Sequence, residues 1–189
     1  ILVGSRKLSA ADRGLSAISA EPAAPSVVPD AEEQPQAEPP AAGAEGVTAP
    51  LSGRVIPMEE IPDQVFSQGI LGEGVGIEPT GNVVVAPADA TVCSVIEDSR
   101  HAVGLTLDNG AELLIHVGID TVSMNGDGFQ LHVKEGDRVR LGDKLITFDP
   151  EKIKAAGHPT TTAFLVTDLT PVFTTNVDAQ AGKTVVIRF

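Results

Sequence analysis

The chain has 189 residues, 42% of them hydrophobic, and a formal net charge of −13. That length allows one ordinary domain with a tail, or two very small domains. The negative charge disfavours nucleic acids and anionic membrane surfaces as partners and favours a basic protein partner. The single cysteine, Cys93, excludes an internal disulfide and a cysteine metal cluster, and it agrees with a reducing cytoplasm.

No apolar stretch approaches the roughly 18–20 residues that a membrane-spanning helix needs. The first residues, ILVGSRKLSA, contain too short an apolar run for a secretory signal. We therefore expect a cytoplasmic location without direct membrane insertion of this segment. The chain begins at Ile1 and not at Met, which suggests a piece of a longer protein.

Taken in chain order, the first two segments differ from the rest in composition. Residues 1–19 contain LSAADRGLSAIS, which predicts one short amphipathic helix, and we interpret them as the tail of a preceding domain. Alanine and proline fill about half of residues 20–46, with acidic residues between them and no aromatic residue. Such a segment cannot bury enough apolar area to fold, so it predicts a disordered, flexible Ala/Pro/Glu linker.

From residue 47 onward, short β-branched runs alternate with turn signals at roughly 8–12-residue spacing. This pattern predicts an all-β domain over 47–189, a sandwich or a barrel, with single helical turns at PDQVF (62–66) and PEKIKAAG (150–157). The segments APADATVCSVI and VKEGDRVRLGDKLITFD have the pattern of a β-hammerhead. Biotinyl and lipoyl carrier domains show a similar pattern, so it indicates a fold and not a function.

Two of the four histidines fall on one predicted hairpin. Asn109-Gly110 lies between two apolar runs, which favours a two-residue type I′ turn. That turn pairs Val103 with His116 and places His101 on the same face as Val103. The two histidines would then be diagonal neighbours, about 7–8 Å apart or less at Cβ. A register slip of one residue would put them on opposite faces.

Two adjacent imidazoles allow three interpretations from the residues alone. They can be two of the ligands of a metal site, which needs a third. One can be a nucleophile for phosphoryl transfer while the other donates a hydrogen bond to the developing charge. They can also be independent histidines, each bonded to backbone. His132, His158 and Cys93 have no such partners in the sequence, and we interpret Cys93 as a small core residue and His132 as part of a solvated strand face.

The segments LLIHVGIDTV and GDGFQLHVKEGDRVRLGD, together with the ending PVFTTN…GKTVVIRF, are similar to a known family. The chain from about Val47 to Phe189 resembles the enzyme IIA (EIIA) domain of the glucose family of the bacterial phosphoenolpyruvate:sugar phosphotransferase system (PTS). The resemblance implies an antiparallel β-sandwich of the duplicated hybrid type. It also implies a phosphotransferase component that needs no cofactor.

The resemblance assigns the phosphoryl group to Nε2 of His116, as a tele-phosphohistidine. The group would arrive from the phosphocarrier protein HPr and pass to a cysteine of an EIIB domain. His101 would hydrogen-bond the phosphate, and Ser99 would orient His101, where the family has a threonine. In some family members both histidines bind zinc when a regulated partner supplies a further ligand, so His101 and His116 are zinc ligands only in such a complex.

The resemblance also implies a partner-binding surface of apolar and acidic side chains, formed here by Asp63, Val65, Phe66, Val103, Val117 and Asp120. Many members have phenylalanine where this chain has Val103 and Val117, which predicts a shallower apolar rim. In this family the EIIA domain is often fused to EIIB and membrane EIIC domains through an Ala/Pro-rich tether. We therefore expect residues 1–19 to be the end of EIIB and the chain to lie at the inner face of the membrane.

Three other functions were compared with this interpretation. A biotinyl or lipoyl carrier needs a lysine at the hairpin tip, and Asn109-Gly110 has none. A zinc metallopeptidase with a similar β fold needs an H-x-H motif, which the sequence lacks. A regulatory binding module that keeps the fold without phosphoryl transfer remains the main alternative, and it predicts the loss of one histidine of the pair.

Overall fold

The computed structural model describes residues 46–189. The predicted tail at 1–19, and all of the predicted linker except Gly46, lie outside the described residues. Gly46 is the first residue of a strand. The fourteen strands are β1 (Gly46–Thr48), β2 (Gly53–Pro57), β3 (Glu73–Pro79), β4 (Val83–Val85), β5 (Ala90–Val95), β6 (Ala102–Leu107), β7 (Glu112–His116), β8 (Phe129–Leu131), β9 (Arg138–Val139), β10 (Lys144–Phe148), β11 (Thr162–Val166), β12 (Val172–Phe173), β13 (Val177–Ala179) and β14 (Val185–Arg188).

The strands form one large sheet and two small ones. The large sheet has the order β13-β2-β3-β11-β7-β6-β5-β9, and the small sheets have the orders β1-β14-β12 and β4-β10-β8. Every strand pair in these three sheets is antiparallel. The main core contains inward-facing residues of all three sheets, such as Ile77 and Ile115 from the large sheet and Val84, Phe148 and Ile187 from the small ones. The predicted antiparallel β-sandwich is confirmed.

Two short α-helices lie where the sequence predicts helical turns. α1 (Gln64–Ser67) begins after Asp63, whose side chain accepts hydrogen bonds from two backbone N–H groups of the first turn. α2 (Pro150–Ala155) begins after Asp149, which caps it in the same way, and carries proline at its first position. Two 3₁₀ turns cover Met58–Glu60 and Thr121–Met124.

The predicted register of the β6–β7 hairpin is wrong by one residue. Ala102, and not Val103, lies opposite His116, and Leu107 N donates to Ala111 O across the turn. A type I′ turn needs positive φ at both central residues, but Asn109 is not among the described residues with positive φ, whereas Gly110 has φ +88°. The Asn109 side chain accepts a hydrogen bond from Ala111 N instead. The loop is therefore three residues long, with glycine at its left-handed third position.

The prediction that Cys93 is a core residue is also wrong, because its side chain is exposed. Its neighbour Val92 faces the core and is 1% exposed, so strand alternation turns Cys93 outward. The register between β5 and β6 shifts between Val92 and Ser94, and this bulge leaves Cys93 without a partner on β6.

Candidate functional site

The side chains of His101 and His116 are in contact. Their ring centroids are 4.5 Å apart, and the rings meet edge to face at 81°. His116 is the last residue of β7, whereas His101 lies just before β6, after Arg100 with φ +53°. The corrected register would place the two histidines on opposite faces of a regular ladder. His101 is outside the strand, so its side chain does not follow the alternation, although its carbonyl still accepts from Val117 N.

A backbone carbonyl fixes which nitrogen of His116 can react. His116 Nδ1 lies 2.9 Å from Gly118 O. A carbonyl oxygen only accepts hydrogen bonds, so Nδ1 carries the proton and Nε2 keeps its lone pair in the neutral ring. Gly118 has φ +74°, and a Cβ there would lie 2.5 Å from Thr121 Cγ2. Thr121 itself donates to Val117 O at 2.6 Å, which fixes the loop that carries the carbonyl.

His101 is held by a hydroxyl group in the same way. Its side chain is 2% exposed, and its Nδ1 lies 2.8 Å from Ser99 Oγ, which is also buried. When Ser99 donates this hydrogen bond, the neutral His101 ring carries its proton on Nε2. In this arrangement Nε2 of His116 has a lone pair, whereas Nε2 of His101 has an N–H group. One of the two contacting rings therefore offers a nucleophilic nitrogen and the other a hydrogen-bond donor.

Both histidines are held in the neutral form near pH 7. Burial, and to a smaller extent the neighbouring His116, lower the pKa of His101 to about 4. Burial also lowers the pKa of His116, and the hydrogen bond to Gly118 O opposes that shift, as do the carboxylates of Asp63 and Asp120. A neutral imidazole is the nucleophilic form, and in His116 the hydrogen bond to Gly118 O leaves the lone pair on Nε2.

The α1 segment covers one side of the His116 ring. The Phe66 ring centroid lies 4.9 Å from that of His116, at an interplanar angle of 56°, and Phe66 is 6% exposed. Asp63 Oδ1 accepts from Val65 N at 2.8 Å and from Phe66 N at 3.1 Å. Asp63 thus has a capping contact that the sequence analysis did not predict. Val65 is 42% exposed, and Asp120 is also exposed.

The prediction that Val103 and Val117 form an apolar rim is wrong. They are 1% and 0% exposed and belong to the main core. Val117 follows the alternation of β7 onto the same face as Ile115, and Val103 lies directly opposite Ile115. Both side chains therefore point away from His116, and neither is accessible to a partner.

A second, small apolar cluster packs on the His116 side of the large sheet. β11 supplies two of its members, and Ala163 lies directly opposite His116 in the ladder. Long-range strand pairing brings these residues to the site, and no local pattern in the sequence indicates it. The buried members of the cluster are Ile61, Phe66, Ile119, Ala163 and Leu165.

His132 and His158 lie elsewhere. His132 is exposed, and its Nε2 lies 2.7 Å from Thr147 Oγ1 on β10. His158 is in the loop after α2, with its Nε2 3.1 Å from Ser123 Oγ.

Within residues 46–189, no group of three or more His, Cys, Asp or Glu side chains is arranged to hold a metal ion. His101 and His116 alone supply two donors, fewer than a closed zinc site needs. The part of the chain that the structure describes also contains no helix long and apolar enough to cross a bilayer.

Comparison with known proteins places this geometry in a family. Residues 45–172 match the family model of the phosphoenolpyruvate-dependent sugar phosphotransferase system, EIIA 1. The chain is 52% identical over 122 residues to the glucose-specific EIIBCA component of Corynebacterium glutamicum, covering 65% of this chain and 18% of that protein. It is 45% identical over 143 residues to the glucose-specific EIIA component of Bacillus cereus, covering 75% of this chain and 81% of that protein.

A solved structure agrees with these sequence matches. Glucose permease IIA from Mycoplasma capricolum superposes with a TM-score of 0.68 at 31% identity, covering 75% of this chain and 93% of that one. The chain spans only 18% of the EIIBCA relatives from Corynebacterium glutamicum. The family match covers most of the described domain and contains both histidines of the pair. The chain belongs to the EIIA 1 family of the phosphoenolpyruvate-dependent sugar phosphotransferase system.

Proposed function

We propose that this chain is a phosphoryl carrier in sugar uptake, with Nε2 of His116 as the atom that carries the group. The observation that carries the proposal is the hydrogen bond from His116 Nδ1 to Gly118 O at 2.9 Å. It leaves the lone pair on Nε2, beside the ring of His101. The donor is phospho-HPr and the acceptor is a cysteine of EIIB.

The proposed transfer takes place in two displacements. In the first, the Nε2 lone pair of His116 attacks phosphorus, and the bond between phosphorus and the donor's leaving atom breaks. In the second, the cysteine thiolate of EIIB attacks, a phosphorus–sulfur bond forms and the bond to Nε2 breaks. The reaction balances without a metal ion or other cofactor, so we propose that none is required.

His101 contributes by stabilising charge. Negative charge spreads over the phosphoryl oxygens as the group transfers, and a fixed donor lowers its free energy. His101 Nε2–H is such a donor when Ser99 holds its Nδ1. Because burial and the neighbouring His116 lower the pKa of His101 to about 4, the ring donates as a neutral group and does not repel a cationic partner.

The surroundings suit a basic protein partner. The carboxylates of Asp63 and Asp120 are close enough to His116 to oppose the lowering of its pKa by burial. Carboxylates beside the reacting atom attract a positively charged surface and increase the rate of encounter. Phe66 packs on the imidazole and excludes water from one side of it, which protects a phosphorylated ring from hydrolysis.

We also propose a cytoplasmic location at the inner face of the membrane, with EIIB and EIIC in the same polypeptide or complex. The support is that the relatives from Corynebacterium glutamicum are named EIIBCA components.

The first experiment incubates the full chain with phosphoenolpyruvate, enzyme I and HPr and measures the intact mass. We expect wild type to gain one phosphoryl group and His116→Ala to gain none. His132→Ala, which removes an exposed histidine that also contacts a hydroxyl, should be labelled like wild type. A wild-type chain without added phosphoryl mass would refute the proposal and favour a regulatory binding module.

The second experiment follows transfer onward to EIIB. His101→Gln should still accept phosphate, because the nucleophile and its hydrogen bond to Gly118 are unchanged, but it should pass the group on slowly. Ser99→Ala should show a weaker form of the same defect, since it frees the His101 ring. Normal onward transfer by His101→Gln would contradict the helper role.

A further inference from the structure

Two loops next to the site are joined on either side of Asp120. Ile119 N donates to Pro159 O at 3.0 Å, just before Asp120. His158 Nε2 lies 3.1 Å from Ser123 Oγ, within the 3₁₀ turn that Asp120 begins. The loop that follows α2 therefore contacts the loop that follows His116 at two points.

The direction of these hydrogen bonds follows from their partners. Asp120 O lies 3.2 Å from Ser123 N and 2.8 Å from Ser123 Oγ. A carbonyl only accepts, so the hydroxyl proton of Ser123 points to Asp120 O, and His158 Nε2–H donates to Ser123 Oγ. The backbone N–H of His158 in turn donates to Ile153 O of α2 at 3.1 Å. One chain of hydrogen bonds connects α2 to the backbone of Asp120.

Asp120 needs such support because of its conformation. Its φ is +56° and its ψ is +16°, in the left-handed region, which aspartate adopts more readily than most residues but less readily than glycine. A residue keeps such a conformation only where the surrounding structure holds it. The Asp120 side chain is exposed and makes no capping hydrogen bond to the following turn, so the support comes from its backbone contacts.

We propose that His158 is a positioning residue of the phosphoryl site: through Ser123 it holds Asp120 in the left-handed conformation that keeps its carboxylate beside His116 and available to a basic carrier. The inference rests on the proposed function for its kinetic consequence. His158 itself touches neither His101 nor His116. No local sequence pattern indicates its partner, because Ser123 is 35 residues away in the chain.

The test compares His158→Ala, His158→Gln and Ser123→Ala in the full chain. Hydrogen exchange of the Ser123 backbone amide, which donates to Asp120 O, measures how often this turn opens. This measurement does not depend on phosphoryl transfer. Initial rates with phospho-HPr give KM and kcat separately. His158→Ala should exchange faster at Ser123 and raise KM about two- to fivefold, as expected for one exposed hydrogen bond, with little change in kcat.

The conservative variant and the control distinguish positioning from general destabilisation. A glutamine amide at position 158 can still donate to Ser123 Oγ, so His158→Gln should restore both the exchange rate and KM. His132→Ala, which loses a similar contact to a hydroxyl far from Asp120, should leave both unchanged. His158→Ala combined with Ser123→Ala should lose no more than either single variant, because both break the same chain of contacts.

Several results would overturn the inference. If the amide of Ser123 exchanges at the same rate in His158→Ala as in wild type, the contact between His158 and Ser123 does not stabilise the turn. An equal defect in His158→Gln, or additive losses in the double variant, would show that the hydrogen bond is not the cause. If wild type accepts no phosphoryl group, the proposed function fails, and the exchange comparison alone still decides whether His158 holds Asp120.

Discussion

The buried histidine pair predicts a specific sensitivity to acid. His101 is 2% exposed, and its pKa falls from 6.5 to about 4 in the folded protein. Between these two values the unfolded chain binds a proton at His101 and the folded protein does not. The free energy of unfolding therefore decreases as the pH falls through 6.5, by up to about 1.4 kcal/mol per pH unit for one group.

The size of the effect follows from the same two pKa values. Between about pH 7.5 and pH 5, His101 alone should remove about 2 kcal/mol from the free energy of unfolding. His116, whose pKa is also lowered by burial, should add to the loss in the same direction. His101→Gln removes the first contribution and leaves the second, so its stability should depend less steeply on pH.

The measurement is urea unfolding at a series of pH values, followed by circular dichroism because the chain has no tryptophan or tyrosine. His132→Gln is the matched control, since it removes an exposed histidine whose contact to Thr147 is remote from the pair. The quantity to compare is the loss of stability from pH 7.5 to pH 5 in each protein. Equal losses in wild type and His101→Gln would refute the reasoning.

Three further variants test the geometry of the site. Asp63→Ala should lower the free energy of unfolding in urea by about 1 kcal/mol, because it removes the cap of α1. Asp63→Asn keeps the cap and should lose only affinity for phospho-HPr. Equal stability of the two variants would contradict the capping role. Gly118→Ala should lower the thermal midpoint and slow phosphorylation, because a Cβ there would lie 2.5 Å from Thr121 and φ is +74°. A phosphorylation rate equal to that of wild type would exclude a role for this loop. Val117→Phe should cost about 1–3 kcal/mol by overpacking the main core, and an unchanged stability would mean that the side chain lies at the surface after all.

The sequence predicted the fold more reliably than the details of the site, for physical reasons. Strand alternation and turn residues are local, so the antiparallel β-sandwich and both helical turns were visible in the chain, whereas the capping contacts of Asp63 and Asp149 were not predicted. The hairpin register was not, because Asn109-Gly110 fits both a two-residue and a three-residue loop, and the sign of φ at Asn109 decides between them.

The contact between the histidines was predicted from a register that is wrong. It exists because His101 lies outside β6, after a residue with positive φ, which no strand pattern reveals. The family resemblance assigned Val103 and Val117 to the partner-binding rim, although both lie in the core. The apolar cluster around Ala163, and the contact between His158 and Ser123, depend on residues far apart in the chain.

Under the proposed function, the hydrogen bond from His116 to Gly118 O also bears on how the phosphoryl group would leave. Once Nε2 is phosphorylated, loss of the Nδ1 proton would set a lone pair against the carbonyl oxygen 2.9 Å away, so the carbonyl favours keeping that proton. The phosphorylated ring is then cationic, and rupture of its bond to phosphorus releases neutral imidazole and not an imidazolate anion. Neutral imidazole is much the better leaving group. In the proposed transfer, one backbone oxygen would thus make His116 both a ready acceptor and a ready donor, which a reversible carrier requires.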